Sequence, residues 1–401
     1  AATPALSDHL IRFPRRTAFI LEPVTLREHG TAGPPWRPPS ESVLQAPSHA
    51  AQLAALRHMR IGCMLQIAAL DLMGLATLPG CARALSDLAD MCIAQALAVA
   101  VERLRPRLGV VRAPPAAEGG DAQAGALPFV IFALGKLGGR ELNYSSDIDL
   151  VFTYAGSGET EGGARPADFQ TYFTALAEEL SANLDQLTED GRAYRVDLRL
   201  RPHGSSGQLV RDTAAMLDYF QSEGRTWERQ AWLKARPVAG DLALGQAFLD
   251  NLAPFIFRRY FSMDAITDLK ALKRQMELSV AQRGESDDEV KLGRGGIRDI
   301  EFVVQFLQLL HGGENPRARS RNTLEALYEL RREGLLTDRE AEPLSDAYVF
   351  LRNVEHRLQL QHDLQVHRLP SDPAARAAAR HPPSGRAAAR LRLHRPRFLR
   401  A

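Results

Sequence analysis

Apolar residues recur at spacings of three and four from Val43 to Leu104. Leu53, Leu56, Met59, Cys63, Ile67 and Leu70 make one stripe and Leu85, Leu88, Cys92, Ala96 and Val99 a second, so two amphipathic helices are expected. The run PFVIFAL, Pro128 to Leu134, is short, bounded by turn formers and rich in β-branched and aromatic residues, which predicts a buried strand. Gly135, Gly138 and Gly139 follow at once and permit a tight turn with close backbone approach to a phosphate. Asp147-Ile148-Asp149-Leu150 then alternates acid and apolar. Positions i and i+2 of a strand share a face, so both carboxylates are expected on one side, with Ile148 and Leu150 in a core.

Phe173, Leu176, Leu180 and Leu184 predict a helix over 169–187. From Tyr194 to Val210 the alternation of Val196, Leu198 and Leu200 with Arg195, Asp197, Arg199 and Arg201 predicts a strand that Pro202 and Gly204 end. Met216, Leu217, Phe220 and Trp227 open a further helical stretch. Between Leu242 and Leu369 four helices are expected, on Leu269 to Val280, Ile300 to Leu310, Leu324 to Leu330 and Leu351 to Leu358, joined as a bundle by turns at Gly312-Gly313 and Gly334.

An apolar fraction of 45% and a charged fraction of 24% are those of a soluble globular protein, and 401 residues are enough for two or three domains. Fifty basic and 48 acidic residues leave a net charge of +2, so no nucleic-acid partner is expected. Cys63, Cys81 and Cys92 lack metal-ligand spacing and their odd number argues against a disulfide scaffold, as in a reducing cytoplasm. No apolar run reaches membrane-spanning length without a charge or breaker, so no membrane is expected. The chain starts on Ala1, without a signal-peptide apolar segment, and is expected to be a fragment.

Paired aspartates beside a glycine turn change the picture most. Mg²⁺ takes one or two carboxylates together with phosphate oxygens, and two such ions clamp the attacking and leaving oxygens of a displacement. A bare Asp-x-Asp is more often a solvated strand end; the adjoining glycine turn favours the metal reading. Asp197 among arginines is either a third carboxylate with phosphate donors beside it or a cross-strand ion-pair ladder. Arg57, His58 and Arg60 are expected to be a solvated helix face. Arg229, Lys234 and Arg236 are either phosphate contacts or surface charges. Arg298, Asp299 and Glu301 open a helix after a glycine loop, which serves either anion binding or, preferably, helix capping and packing. His203, His311, His356, His362 and His367 show no ligand grouping.

Leu137-Gly138-Gly139 followed by Asp147-Ile148-Asp149 resembles the glycine-turn and acid motif of the nucleotidyltransferase superfamily that includes DNA polymerase β. The longer GKLGGRELNYSSDIDL, with RVDLRLRP from Arg195, WERQAWLKARPVAG from Trp227 and KLGRGGIRDIEFVVQ from Lys291, resembles the glutamine synthetase adenylyltransferase/adenylyl-removing family. Members of that family carry two such units. Lys136, Asn143, Ser145 and Ile148 match the first, which removes AMP, and no second unit occurs here. The resemblance implies an α+β fold: a small mixed-sheet nucleotidyltransferase domain flanked by an N-terminal helical region and a C-terminal helical bundle. It implies catalysis and metal binding by Asp147, Asp149 and Asp197, with Gly138, Gly139, Lys136, Ser146, Arg199, Arg201 and Lys234 on nucleotide or phosphate. It also implies Mg²⁺ (or Mn²⁺), inorganic phosphate with ADP or ATP as small substrates, and adenylylated glutamine synthetase as partner, with a PII protein as regulator of the longer enzyme. The reaction implied is phosphorolytic removal of AMP; adenylylation, uridylylation of a PII protein and a non-catalytic docking module are the alternatives.

The expected division is a loop and helical region over 1–105, a linker over 106–127, a catalytic domain over 128–245, a helical bundle over 246–370 and a basic tail over 371–401. From Ala374 onward the tail is alanine- and arginine-rich, without acids, unlike the family pattern. It is expected to be either a frame-shifted end or a disordered tail that packs on nothing.

Overall fold

The computed structural model describes residues 43–111, 127–258, 289–293, 295–362 and 368–369. Two long helices come first, α1 (His49–Leu72) and α2 (Leu78–Leu108). Each begins on a hydroxyl cap: Ser48 Oγ accepts from Ala51 N and Thr77 Oγ1 from Gly80 N, which satisfies a first-turn N–H that has no partner in the helix. By length and composition alone both are apolar enough to cross a membrane. Here they are core helices: both predicted stripes are buried, and most of their residues, with all three free cysteines, pack in one core with the sheet. Helix α2 runs through Pro106 into the expected linker. There β1 (Val110–Val111) pairs antiparallel with β4 (Thr160–Glu161).

The main sheet is small and mixed. Strand β2 (Phe129–Ala133) lies antiparallel to β3 (Ile148–Tyr154) on one side and to β7 (Arg236–Gly240) on the other. The far edge of β3 carries two short parallel strands, β5 (Val196–Asp197) at its start and β6 (Val210–Asp212) at its end. The strand expected to run from Tyr194 up to Pro202 is therefore only two residues long before the chain loops out. Asp197 is the cause: its Oδ1 accepts the backbone N–H of Arg199 at 2.9 Å, a local bond that competes with the strand ladder. His203, in the left-handed region at φ 60°, completes the departure.

Strand β2 is buried on both faces, which explains its unbroken apolar run. Phe129, Ile131 and Ala133 face a core shared with α1, α2 and α4 (Phe169–Asp185). Val130 and Phe132 face a second core, shared with α5 (Thr213–Ser222), α6 (Thr226–Trp232) and α7 (Leu242–Ile256). Phe129 stacks on Phe173 with ring centroids 5.4 Å apart, and Phe132 meets the edge of Trp232 at 5.4 Å. Each such side chain contributes about 1.5–3 kcal/mol by burial.

Three further helices follow, α8 (Ile297–His311), α9 (Thr323–Arg332) and α10 (Asp338–His362). They share two smaller cores. The helix expected on Leu269, Leu272, Met276 and Val280, and the tail beyond Pro370, lie outside the described residues.

Candidate functional site

The glycine turn leaves β2 through Leu134, whose N–H donates to Asp149 O at 2.9 Å. Gly135 adopts φ 54°, and a Cβ there would lie 2.3 Å from Asp149 Oδ2. A side chain is excluded both by conformation and by the carboxylate. Gly135 through Gly138 form the single turn α3. The close approaches of Gly138 and Gly139 are to protein: a Cβ on Gly138 would meet Lys234 O at 2.1 Å and one on Gly139 would meet Arg321 O at 2.8 Å. Their freedom from a side chain serves this close backbone packing.

Asp147 immediately precedes β3, and Asp149 is its second residue. The parallel register with β5 sets Asp149 opposite Asp197 and Ile148 opposite Val196. Ile148 N donates to Arg195 O at 3.0 Å, which ties the two strand starts together. Three aspartates are thereby gathered at one sheet edge. The Asp149 carboxyl is pushed up to about 6 by burial, then by the charges of Asp197 and Asp147, against relief from Lys291 and Arg199.

The other two acids are neutralised by arginines. Asp147 accepts from Arg195 Nε, and Arg195 Nη2 also holds Ser145 O at 2.6 Å. Asp197 takes Arg199 Nε at 3.0 Å on both oxygens and Nη2 at 2.5 Å, which holds its carboxyl below the usual range. As they stand, no three Asp, Glu, His or Cys side chains among the described residues converge as a ready metal cage. The donor set suits a hard divalent ion in kind: carboxylates only, on two strand ends in register, with mutual repulsion that a cation would relieve.

The remaining expected phosphate ligands are engaged by other groups of the protein. Arg201 gives its guanidinium to the carbonyls of Leu198, Ser205 and Gly207, at 2.7, 3.1 and 3.2 Å, and so braces the loop after β5. Lys234 is buried, 2.6 Å from Glu141 Oε2 and 3.1 Å from Thr323 Oγ1. Burial opposes its charge, yet Glu141 and Glu301 raise its affinity for the proton. Arg229 lies over the Phe255 ring, 4.8 Å from its centroid, and Arg236 pairs with Asp90 at 2.7 Å. These three are not surface charges: each is engaged by protein groups. Ser146 Oγ accepts from Asn143 N at 3.3 Å within the loop. Lys136 is 2.9 Å from Glu355 Oε1 and is pulled down to about 8, chiefly by burial. Asp299 Oδ2 accepts from Gly295 N at 2.8 Å, so this acid ties the glycine loop to the first turn of its helix. Arg57, expected on a solvated face, is buried, with bonds to the carbonyls of Leu53, Asn183, Gln186 and Gly191.

Helix α10 supplies what the sequence reading missed. Arg352 donates to Glu141 O at 2.6 Å and to Asn143 Oδ1. Gln359 Oε1 accepts from Ser145 N at 2.9 Å, and His356 Nε2 lies 3.1 Å from Asn143 Oδ1. Tyr144 donates to Asp71 Oδ2 at 3.0 Å, and Arg357 reaches Asp71 Oδ1 at 3.1 Å. The run from Glu141 to Ser145 is thus a buried docking strip for α10, directly ahead of Asp147. Lys291 and Gly135 are two further residues of the acidic edge. Gly135 was legible as the first residue of the glycine turn, and Lys291 only as the first residue of the KLGRGG motif.

The glutamate-ammonia ligase adenylyltransferase family model matches residues 1–251, and the chain belongs to that family. A second model, the GlnD PII-uridylyltransferase, matches residues 270–392, and so runs past Ala374, where no likeness was expected. The bifunctional glutamine synthetase adenylyltransferase/adenylyl-removing enzyme of Stenotrophomonas maltophilia K279a is 42% identical over 355 residues, 88% of this chain and 37% of the relative. That of Hahella chejuensis is 44% identical over 81% of this chain and 33% of its own length. That of Burkholderia mallei is 38% identical over 94% of this chain and 40% of its own length. The chain thus spans between a third and two fifths of the curated relatives it matches.

Proposed function

We propose that this chain is the adenylyl-removing unit of a glutamine synthetase adenylyltransferase, with a polymerase β-like nucleotidyltransferase fold, and that it cleaves AMP from an adenylylated tyrosine by phosphorolysis. The observation that carries the reading is the register of Asp149 with Asp197, beside Asp147 and below the glycine turn. Family membership and the match of Lys136, Asn143, Ser145 and Ile148 to the removing unit support it. Asp147, Asp149 and Asp197 would hold Mg²⁺ or Mn²⁺, which supplies charge neutralisation at the α-phosphate. An oxygen of inorganic phosphate bonds to that phosphorus as the bond to the tyrosine oxygen breaks. ADP leaves, and the phenolate takes a proton. Arg195 and Arg199, which pair with Asp147 and Asp197, would offset the charge of two approaching anions.

The test is adenylylated glutamine synthetase with Mg²⁺ and phosphate, with products separated by chromatography. Phosphate-dependent ADP is the expected product. AMP released without phosphate means hydrolysis, and transfer of AMP from ATP onto unmodified synthetase means the opposite direction. The match of residues 270–392 favours one second reading, uridylylation of a PII protein. Labelled UMP appearing on a PII protein would select it.

A further inference from the structure

The two arginines of the acidic edge are held differently. Arg195 is anchored twice, on Asp147 and on the carbonyl of Ser145. Its strand neighbour Ile148 fixes the backbone on the same side. Arg199 has 79% of its side chain exposed, and its guanidinium bonds among the described residues go to Asp197 alone. Asp197 does not depend on that guanidinium for its position, because its Oδ1 also accepts the Arg199 backbone N–H at 2.9 Å. The carboxylate is therefore fixed by main chain and neutralised by a solvent-exposed side chain. An exposed ion pair of this kind is weak, and a divalent ion competes for the same oxygens.

We propose that Arg199 is an exchangeable counter-cation: it neutralises Asp197 in metal-free protein, yields that carboxylate to a divalent ion, and then donates its released guanidinium to a phosphate. This rests on the reading of the acids as a metal site and adds a regulation to it. Arg199 stands on the turn directly after β5, two residues from its acid, so rotation of its own side chain is enough to move the head away from Asp197. Arg195 stays in place through Ser145 O and keeps Asp147 oriented. Cation and phosphate binding are then positively coupled through one side chain, and by linkage each strengthens the other by the same factor. Phosphate is accordingly a poor ligand of metal-free protein, although the edge carries two arginines.

Calorimetric titration of inorganic phosphate into metal-free and Mg²⁺-loaded protein tests this, with Mn²⁺ uptake followed in parallel by electron paramagnetic resonance. Wild-type protein should bind phosphate at least about fivefold more tightly with Mg²⁺. In metal-free protein, Asp197→Asn should tighten phosphate binding about threefold to fivefold, because Arg199 is set free. Asp149→Asn removes the same charge and releases no guanidinium, so its gain should be clearly smaller. In an Arg199→Ala background, Asp197→Asn should gain no more than Asp149→Asn does. Equal gains from both acid variants, or a full gain without Arg199, would reduce the effect to net charge and overturn the exchange. Mn²⁺ uptake with unchanged phosphate affinity sinks the exchange and leaves the metal reading standing. No Mn²⁺ uptake sinks both.

Discussion

Charges on the two sides of the glycine turn sit in different solvents. On one side, Asp147, Arg195 and Arg199 stand partly or largely in water. On the other, Glu141, Lys234, Arg352, Glu355 and His356 are almost wholly excluded from it. The first group makes pairs that a cation or anion can replace. The second makes bonds whose loss leaves a charge stranded in a low-dielectric interior. One motif feeds both: Lys136, Glu141, Asn143 and Ser145 reach into the buried set, while Asp147 and Asp149 reach the edge. Its length, greater than two aspartates and a turn require, reflects this double duty.

The most severe way to break the comparison is Arg352→Ala. It should cost about 3–5 kcal/mol in chemical denaturation, because Glu355 and Asn143 lose a buried partner. Arg199→Ala in the same experiment should change stability by less than about 1 kcal/mol. Similar losses from the two would erase the distinction.

Asp149→Asn comes next. It should lower AMP removal about 10²–10³-fold, on the scale of losing one preorganised charge contact. Its stability effect has a defined sign. The Asp149 carboxyl, pushed up to about 6, keeps its proton longer in the folded chain than in the unfolded one. Ionisation therefore removes stability as pH climbs from about 4 to about 6, and the loss persists above that window. The variant escapes this loss. Thermal denaturation should find it more stable than wild type by about 1–3 kcal/mol at neutral pH and level with it near pH 4. Destabilisation at both pH values would move Asp149 into the structural set.

The smallest effect expected is that of Arg201→Ala. Loss of its bonds to loop carbonyls should cost about 1 kcal/mol and leave the phosphate dependence of the rate unchanged. A rise in the phosphate requirement would place this guanidinium at the edge after all.

Local pattern carried the framework well. The stripes from Leu53 to Leu70 and from Leu85 to Val99, the strand Phe129–Ala133 and the helix on Phe173 to Leu184 are all buried as their spacing implies. It also set Asp147 and Asp149 two residues apart at the start of one strand, whereas the place of Asp197 opposite Asp149, across an intervening helix, was implied by the family resemblance and not by spacing. It failed where a polar side chain outcompeted the ladder, as Asp197 does at Arg199. It failed again for charged residues. Arg57 read as a solvated charge, and Lys234 and Arg236 as surface charges or phosphate contacts, yet each is satisfied inside by partners between 93 and 146 positions away. No window of sequence displays such a pairing.

The docking strip has a consequence for the order in which the molecule comes into being. The partners of Lys136, Glu141 and Asn143 on α10 lie 219, 211 and 209 residues downstream. At roughly 5–20 residues per second, a ribosome takes on the order of ten to forty seconds to cover that distance. Throughout that interval the sheet can close on its helices, while the segment ahead of Asp147 lacks its final anchors. The segment directly ahead of the acidic edge therefore gains its buried anchors only once α10 has been made.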